Sequence, residues 1–120
     1  GLLDKKISLP KLSGGSDIND PEAKAKTPSY KEMPIGGLLE FNQLRLLAID
    51  AIASINCPTF VAFGSLDSAI DAKESHNTLI THLQASCFSR FYDNSKHVVT
   101  LDYDREQLAH DVWYFLNHYV

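Results

Sequence analysis

No run in this sequence approaches the roughly 20 consecutive apolar residues that a membrane-spanning helix needs. Its first residues, Gly1-Leu2-Leu3-Asp4, lack the basic region, long apolar stretch and cleavage site of a signal peptide. A cytoplasmic protein without a membrane span is therefore expected. Excess positive charge is also missing: the formal net charge is -4 and the eleven Lys and Arg are dispersed, which argues against nucleic acid as a partner. Cysteine is scarce. Cys57 and Cys87 form no paired motif and read as buried free thiols at the edges of two strands, where they act as small apolar groups. The five histidines, His76, His82, His97, His110 and His118, show neither HExxH nor CxxC company, so no metal or other cofactor is expected.

What is present is enough apolar material for one modest core: 44% of 120 residues are hydrophobic and 22% are charged. Residues 1–33 contribute little to it. They hold three of the five prolines, the Gly14-Gly15 pair and a polar run from Ser16 to Lys26, and read as a flexible arm with at most one short helix. A connection this long is uncommon inside a compact domain.

Residues 34–120 read as a folded unit. Leu38, Leu39, Phe41, Leu44, Leu46, Leu47, Ile49 and Ile52 are too dense for a two-residue alternation, so a largely buried helix is expected over about 38–53, opened by Pro34 and Gly36-Gly37 and closed before Cys57-Pro58. Thr59-Phe60-Val61-Ala62-Phe63, closed by Gly64, has the pattern of a strand buried on both faces. Asp71 and Glu74 make a capping-box pair opening a helix to about Gln84, and a second strand is expected over 87–92. Leu108, Val112, Phe115, Leu116 and Tyr119 form one apolar stripe on a final helix, with Asp104 and Gln107 placed to cap it. Strand, helix, strand, helix at these lengths implies parallel strands joined by crossover helices, an α/β sheet.

In open sheets of that kind, functional groups gather in the loops leaving the carboxyl ends of the strands. The first such loop carries Asp67 and the second carries His97, thirty positions later. Adjacent strands would bring both to one rim. A carboxylate bonded to one ring nitrogen fixes the tautomer of an imidazole and leaves the other nitrogen as a base toward a hydroxyl. Asp102 and Asp104 follow His97 too closely on its own loop to serve as the acid. Asp104 reads as a helix cap, Asp102 as a turn residue or a group supporting the site from behind.

From about Tyr30 onward, and most specifically in Pro58 to Asp67 and Ser95-Lys96-His97-Val98-Val99-Thr100-Leu101-Asp102, the chain resembles the C-terminal part of a bacterial carboxylesterase of the α/β-hydrolase superfamily, close to the monoacylglycerol-lipase-like esterases. The resemblance implies that Asp67 is the triad acid and His97 the triad base. It also implies that the helix before Pro58, together with residues 1–33, belongs to the cap, and that the substrate is a small carboxylic ester. Two departures stand out. Lys96 occupies a position that is commonly Gly in that family, and no G-x-S-x-G elbow occurs in these 120 residues. Ser65 and Ser95 lie in the two site loops, but Ser65 is two residues from Asp67, a poor position for attack on an acyl carbon.

The chain thus reads as the acid-and-base portion of a serine esterase whose nucleophile is missing, inactive in isolation; the alternative is a non-catalytic α/β interaction module derived from a hydrolase. Two parallel strands leave two unpaired edges. Self-association through such an edge, or by exchange of the N-terminal arm, is the expected consequence; light scattering that shows a monomer at high concentration would contradict it.

Overall fold

A computed structural model describes residues 8–10 and 15–120. In chain order the elements are strand β1 (Ser8–Pro10), helix α1 (Pro21–Lys26), strand β2 (Glu32–Pro34), helix α2 (Ile35–Ile52), strand β3 (Thr59–Gly64), helix α3 (Ala72–His82), strand β4 (Cys87–Tyr92) and helix α4 (Arg105–Tyr119). The expected alternation from residue 59 onward is present, with parallel β3 and β4 in the register Thr59↔Cys87 through Gly64↔Tyr92. A second, antiparallel pair joins β1 to β2, and nothing in the local sequence announces it.

The two faces of the parallel pair are covered by different helices because side chains alternate along a strand. Phe60 and Phe88 point to α4, where the Phe115 ring meets the first tilted at 5.7 Å and the second edge-on at 5.5 Å between ring centroids. Tyr92, Val99 and Leu108 form the buried centre on that side, with Phe60, Ala62 and Val112 packed against it. Phe63 and Phe91 lie on the opposite face, stacked at 5.2 Å, and meet His76 of α3. Asp71 caps α3 by accepting from the Glu74 amide at 2.9 Å, and the helix ends at His82.

Several expectations are corrected. Helix α2 forms where the apolar density places it, but none of its residues is buried; Leu38, Leu39, Phe41, Leu44, Leu46 and Leu47 are between 38 and 66% exposed. Apolar density favours burial only where a partner surface exists, and β3 and β4 are already covered by α3 and α4. Strand β3 is buried only at Phe63 and Gly64 and half-buried before them. Of the α4 stripe, Leu108 and Phe115 are buried, whereas Leu116 and Tyr119 are exposed. Cys57 is an exposed free thiol and Cys87 a half-buried one, so Cys57 is not a core group.

The expectation of a flexible arm over 1–33 falls partly on residues 1–7 and 11–14, which lie outside the described residues. Of the remainder, the stretch around Ile18 is anchored: Ile18 is 1% exposed. Asp20 opens α1 by accepting from the amides of Glu22 and Ala23, with Pro21 in the first turn.

Gly64 ends β3 directly beneath the loop of His97. A Cβ there would collide with the backbone carbonyl oxygen of Lys96 and crowd that of Ser95. These are main-chain atoms, so relief requires moving the loop. Gly64→Ala is expected to lower stability by about 1–3 kcal/mol, read as the urea midpoint, whereas Gly37→Ala, which meets only the Pro34 ring, leaves the midpoint within about 0.5 kcal/mol.

Candidate functional site

Parallel pairing of β3 and β4 puts the loops that follow them side by side at the carboxyl rim, and Asp67 and His97 meet there. His97 Nδ1 lies 2.8 Å from Asp67 Oδ2. A carboxylate only accepts, so Nδ1 carries the proton in this contact. The other carboxylate oxygen, Oδ1, accepts from the amides of Ala69 and Ile70 at 2.8 and 3.0 Å, which fixes the carboxylate before it reaches the ring. The Asp67 side chain is 3% exposed while that of His97 is 46% exposed. Nε2 has no protein partner among the described residues. The arrangement is a solvent-reaching imidazole whose inner nitrogen is held by a buried, pre-oriented carboxylate, able to take a proton at Nε2 and return it.

Two further carboxylates hold the loops. Asp102 is fully buried and accepts four amides: Asn19 at 2.7 Å and Lys96 at 2.9 Å on Oδ2, Asp20 at 2.8 Å and Tyr103 at 2.9 Å on Oδ1. Burial alone would push its pKa up, but the four amides outweigh burial and hold it below the ordinary 3.8. Asp17 accepts from Ser68 Oγ at 2.6 Å, Ser68 N at 2.9 Å and His97 N at 3.3 Å, while its carbonyl accepts from Val98 N at 3.2 Å. Its carboxyl is likewise lowered: burial opposes, and the Ser68 and His97 bonds with the nearby Lys96 charge prevail.

Asp104 sits at the N-cap position of α4, yet its carboxylate bonds no helix amide. It accepts instead from Asn94 N, Asn94 Nδ2 and Ser95 Oγ, so the expected capping role is replaced by closure of the loop before His97. Gln107 reaches Asp111 and does not cap. Ser95 is completely buried on Asp104, and Ser65 Oγ donates to Asp93 at 2.8 Å. Neither hydroxyl is bonded to His97. An open depression of about 430 Å³ beside Asp67 is lined in part by Ser65, Ile70, Asp71 and Phe91, and His97 does not line it.

Asp17 and Ser68 were not singled out from the sequence. The one local sign was Ile18, an apolar residue isolated in a polar run, which marks a buried point in an otherwise solvated stretch. Among the described residues, no group of three or more His, Cys, Asp or Glu is placed to hold a metal ion, and no helix is long and apolar enough to cross a membrane.

The chain is a partial α/β fold: a parallel pair of strands, helices on both faces, and an acid and an imidazole joined at the carboxyl rim. No family model matches the chain. It is similar to a solved structure described with LipS and LipT, two metagenome-derived lipolytic enzymes, at a TM-score of 0.80 and 21% identity over 95% of this chain and 45% of that one. At this identity the likeness is one of fold, and this chain spans less than half the length of that neighbour.

Replacing Asp102 by Asn keeps one acceptor but turns an NH2 donor toward two amide donors. Asp102→Asn and Asp102→Ala are both expected to cost about 3 kcal/mol at neutral pH. Because the folded pKa of Asp102 is depressed below 3.8, its contribution is complete above about pH 5 and is lost as the pH falls through the folded value. Denaturant titrations should therefore show the gap between wild type and Asp102→Asn closing on acidification below about pH 4; a gap independent of pH would contradict this account.

Proposed function

We propose that these residues supply the acid and base of a serine carboxylic-ester hydrolase, with the nucleophilic serine and the oxyanion-hole amides contributed by sequence outside these 120 residues. The observation that carries the reading is the 2.8 Å contact between His97 Nδ1 and the buried Asp67 carboxylate, with Nε2 left open. The likeness to a lipolytic enzyme over 95% of this chain supports the same class.

In this reading Nε2 of His97 takes the proton of a serine hydroxyl as its oxygen attacks the ester carbonyl, and Asp67 stabilises the imidazolium so formed. The same proton passes to the departing alcohol, leaving an acyl-enzyme. His97 then removes a proton from water, which attacks the acyl carbon, and returns it to the serine oxygen as the carboxylic acid leaves. Residues 34–120 form the unit that carries acid and base. Residues 1–33 and α2 belong to the cap, where the bare leucines of α2 line the path of a short or medium acyl chain or a monoglyceride.

The 120-residue chain alone is expected neither to hydrolyse p-nitrophenyl esters nor to react with a fluorophosphonate, since Ser65 and Ser95 are both engaged away from His97. In the natural gene product containing the nucleophile, His97→Ala and Asp67→Asn should each lower kcat by roughly 10³- to 10⁴-fold with KM little changed. Full activity in His97→Ala would refute the assignment.

A further inference from the structure

We propose that Asp17 is a positioning residue for this site: its carboxylate is a clasp between the loop of Asp67 and the loop of His97 and sets their separation. The proposal rests on the reading of Asp67 and His97 as acid and base. It assigns a role to a residue 51 positions before Ser68 and 80 before His97.

The geometry is direct. One carboxylate reaches both loops, accepting from Ser68 twice and from the His97 amide once. Ser68 is the neighbour of Asp67, and the amide belongs to His97 itself, so the atoms held are one residue from the acid and zero from the base. The Asp17 carbonyl adds a fourth bond, from the amide of Val98. Asp17 is in turn fixed from behind. Ile18 is buried, and the amides of Asn19 and Asp20 are held by Asp102, which also grips the Lys96 amide next to His97. The segment 17–20 is therefore pinned at one end to the base of the His97 loop and presents Asp17 at the other end as a bridge.

The Asp67 to His97 bond crosses between two loops that have no other side-chain bond between Ser65–Ile70 and His97–Val98 among the described residues. Asp67 is fixed by its own turn and His97 by its backbone, so the ring contact is correct only if the two backbones are correctly spaced. To the main-chain bond from Leu66 N to the Ser95 carbonyl, Asp17 adds the tie that lies next to Asp67 and at His97 itself; it touches neither the ring nor the acid, so it acts on catalysis only through geometry. A displacement of about 1 Å in such a pair is enough to cost on the order of 10²-fold in rate.

The test uses the full-length protein and reads both rate and the hydrogen bond itself. Asp17→Ala should lower kcat by about 10- to 100-fold with KM unchanged, and should abolish the low-field proton resonance of His97 Nδ1 that the Asp67 contact produces. Asp17→Leu, close in size and therefore a safeguard should the alanine variant not fold, removes every side-chain acceptor and should lose both signals, whereas Asp17→Asn can turn its carbonyl to the Ser68 and His97 amides and its NH2 to Ser68 Oγ and should keep most of both. Phe115→Leu, which thins the packing of α4 on Phe60 and Phe88, should lower stability while leaving kcat and the Nδ1 resonance in place. A wild-type kcat and resonance in Asp17→Leu would overturn the proposal, as would a fall in kcat with the resonance intact. If His97→Ala retains activity the catalytic reading fails, whereas loss of activity in His97→Ala together with an unaffected Asp17→Leu removes only the role of Asp17.

Discussion

The buried carboxylate of Asp102 is the contact on which the site depends. It gathers amides from two parts of the chain more than 75 residues apart in sequence, Asn19 and Asp20 on one side and Lys96 and Tyr103 on the other. A buried charge is costly unless every lone pair is used, and here four donors use them. The same arrangement gives the chain its shape at this end: the early segment is held against the loop that ends β4, and Arg105 reinforces the joint by reaching both Asp20 and the Asp102 carbonyl.

The remainder of the site is built on that joint by short-range geometry. Gly64 lets the backbone of β3 pass directly under Lys96, and the Leu66 amide donates to the Ser95 carbonyl at 3.0 Å. The two loops are thus in main-chain contact before the side chains of Asp67 and His97 are considered. Asp104 closes the Asn94–Ser95 turn, and the buried Tyr92 beneath it donates to Asp111, with burial and that carboxylate pushing its phenol well above the ordinary value. Polar groups at this rim are satisfied: no buried side-chain nitrogen or oxygen among the described residues lacks a partner. A fully bonded polar cluster is rigid, and rigidity is what an acid and base separated by thirty residues require.

Legibility in the sequence followed the range of the interactions. Strands β3 and β4, helices α3 and α4 and the start of α2 were visible because apolar period and local capping are written into adjacent residues. The pairing of Asp67 with His97 was visible through one added rule, that parallel strands place successive loops on one rim. Burial was less visible. The leucines of α2 have the composition of a core helix, yet whether they are covered depends on surfaces that composition does not describe, and here they face outward.

Local order, the candidate acid and base, and the class of fold were thus contained in the chain as written, since each follows from spacing within a few residues or one strand-helix unit. The clasp of Asp17 on Ser68 and His97, the four amides on Asp102, the diversion of Asp104 from its helix to Ser95 and the β1–β2 pair were decided by the folded arrangement. Each joins groups whose separation in sequence carries no period or motif. Their partners are chiefly backbone amides, which every residue possesses, so no residue type marks where such a carboxylate will find its donors.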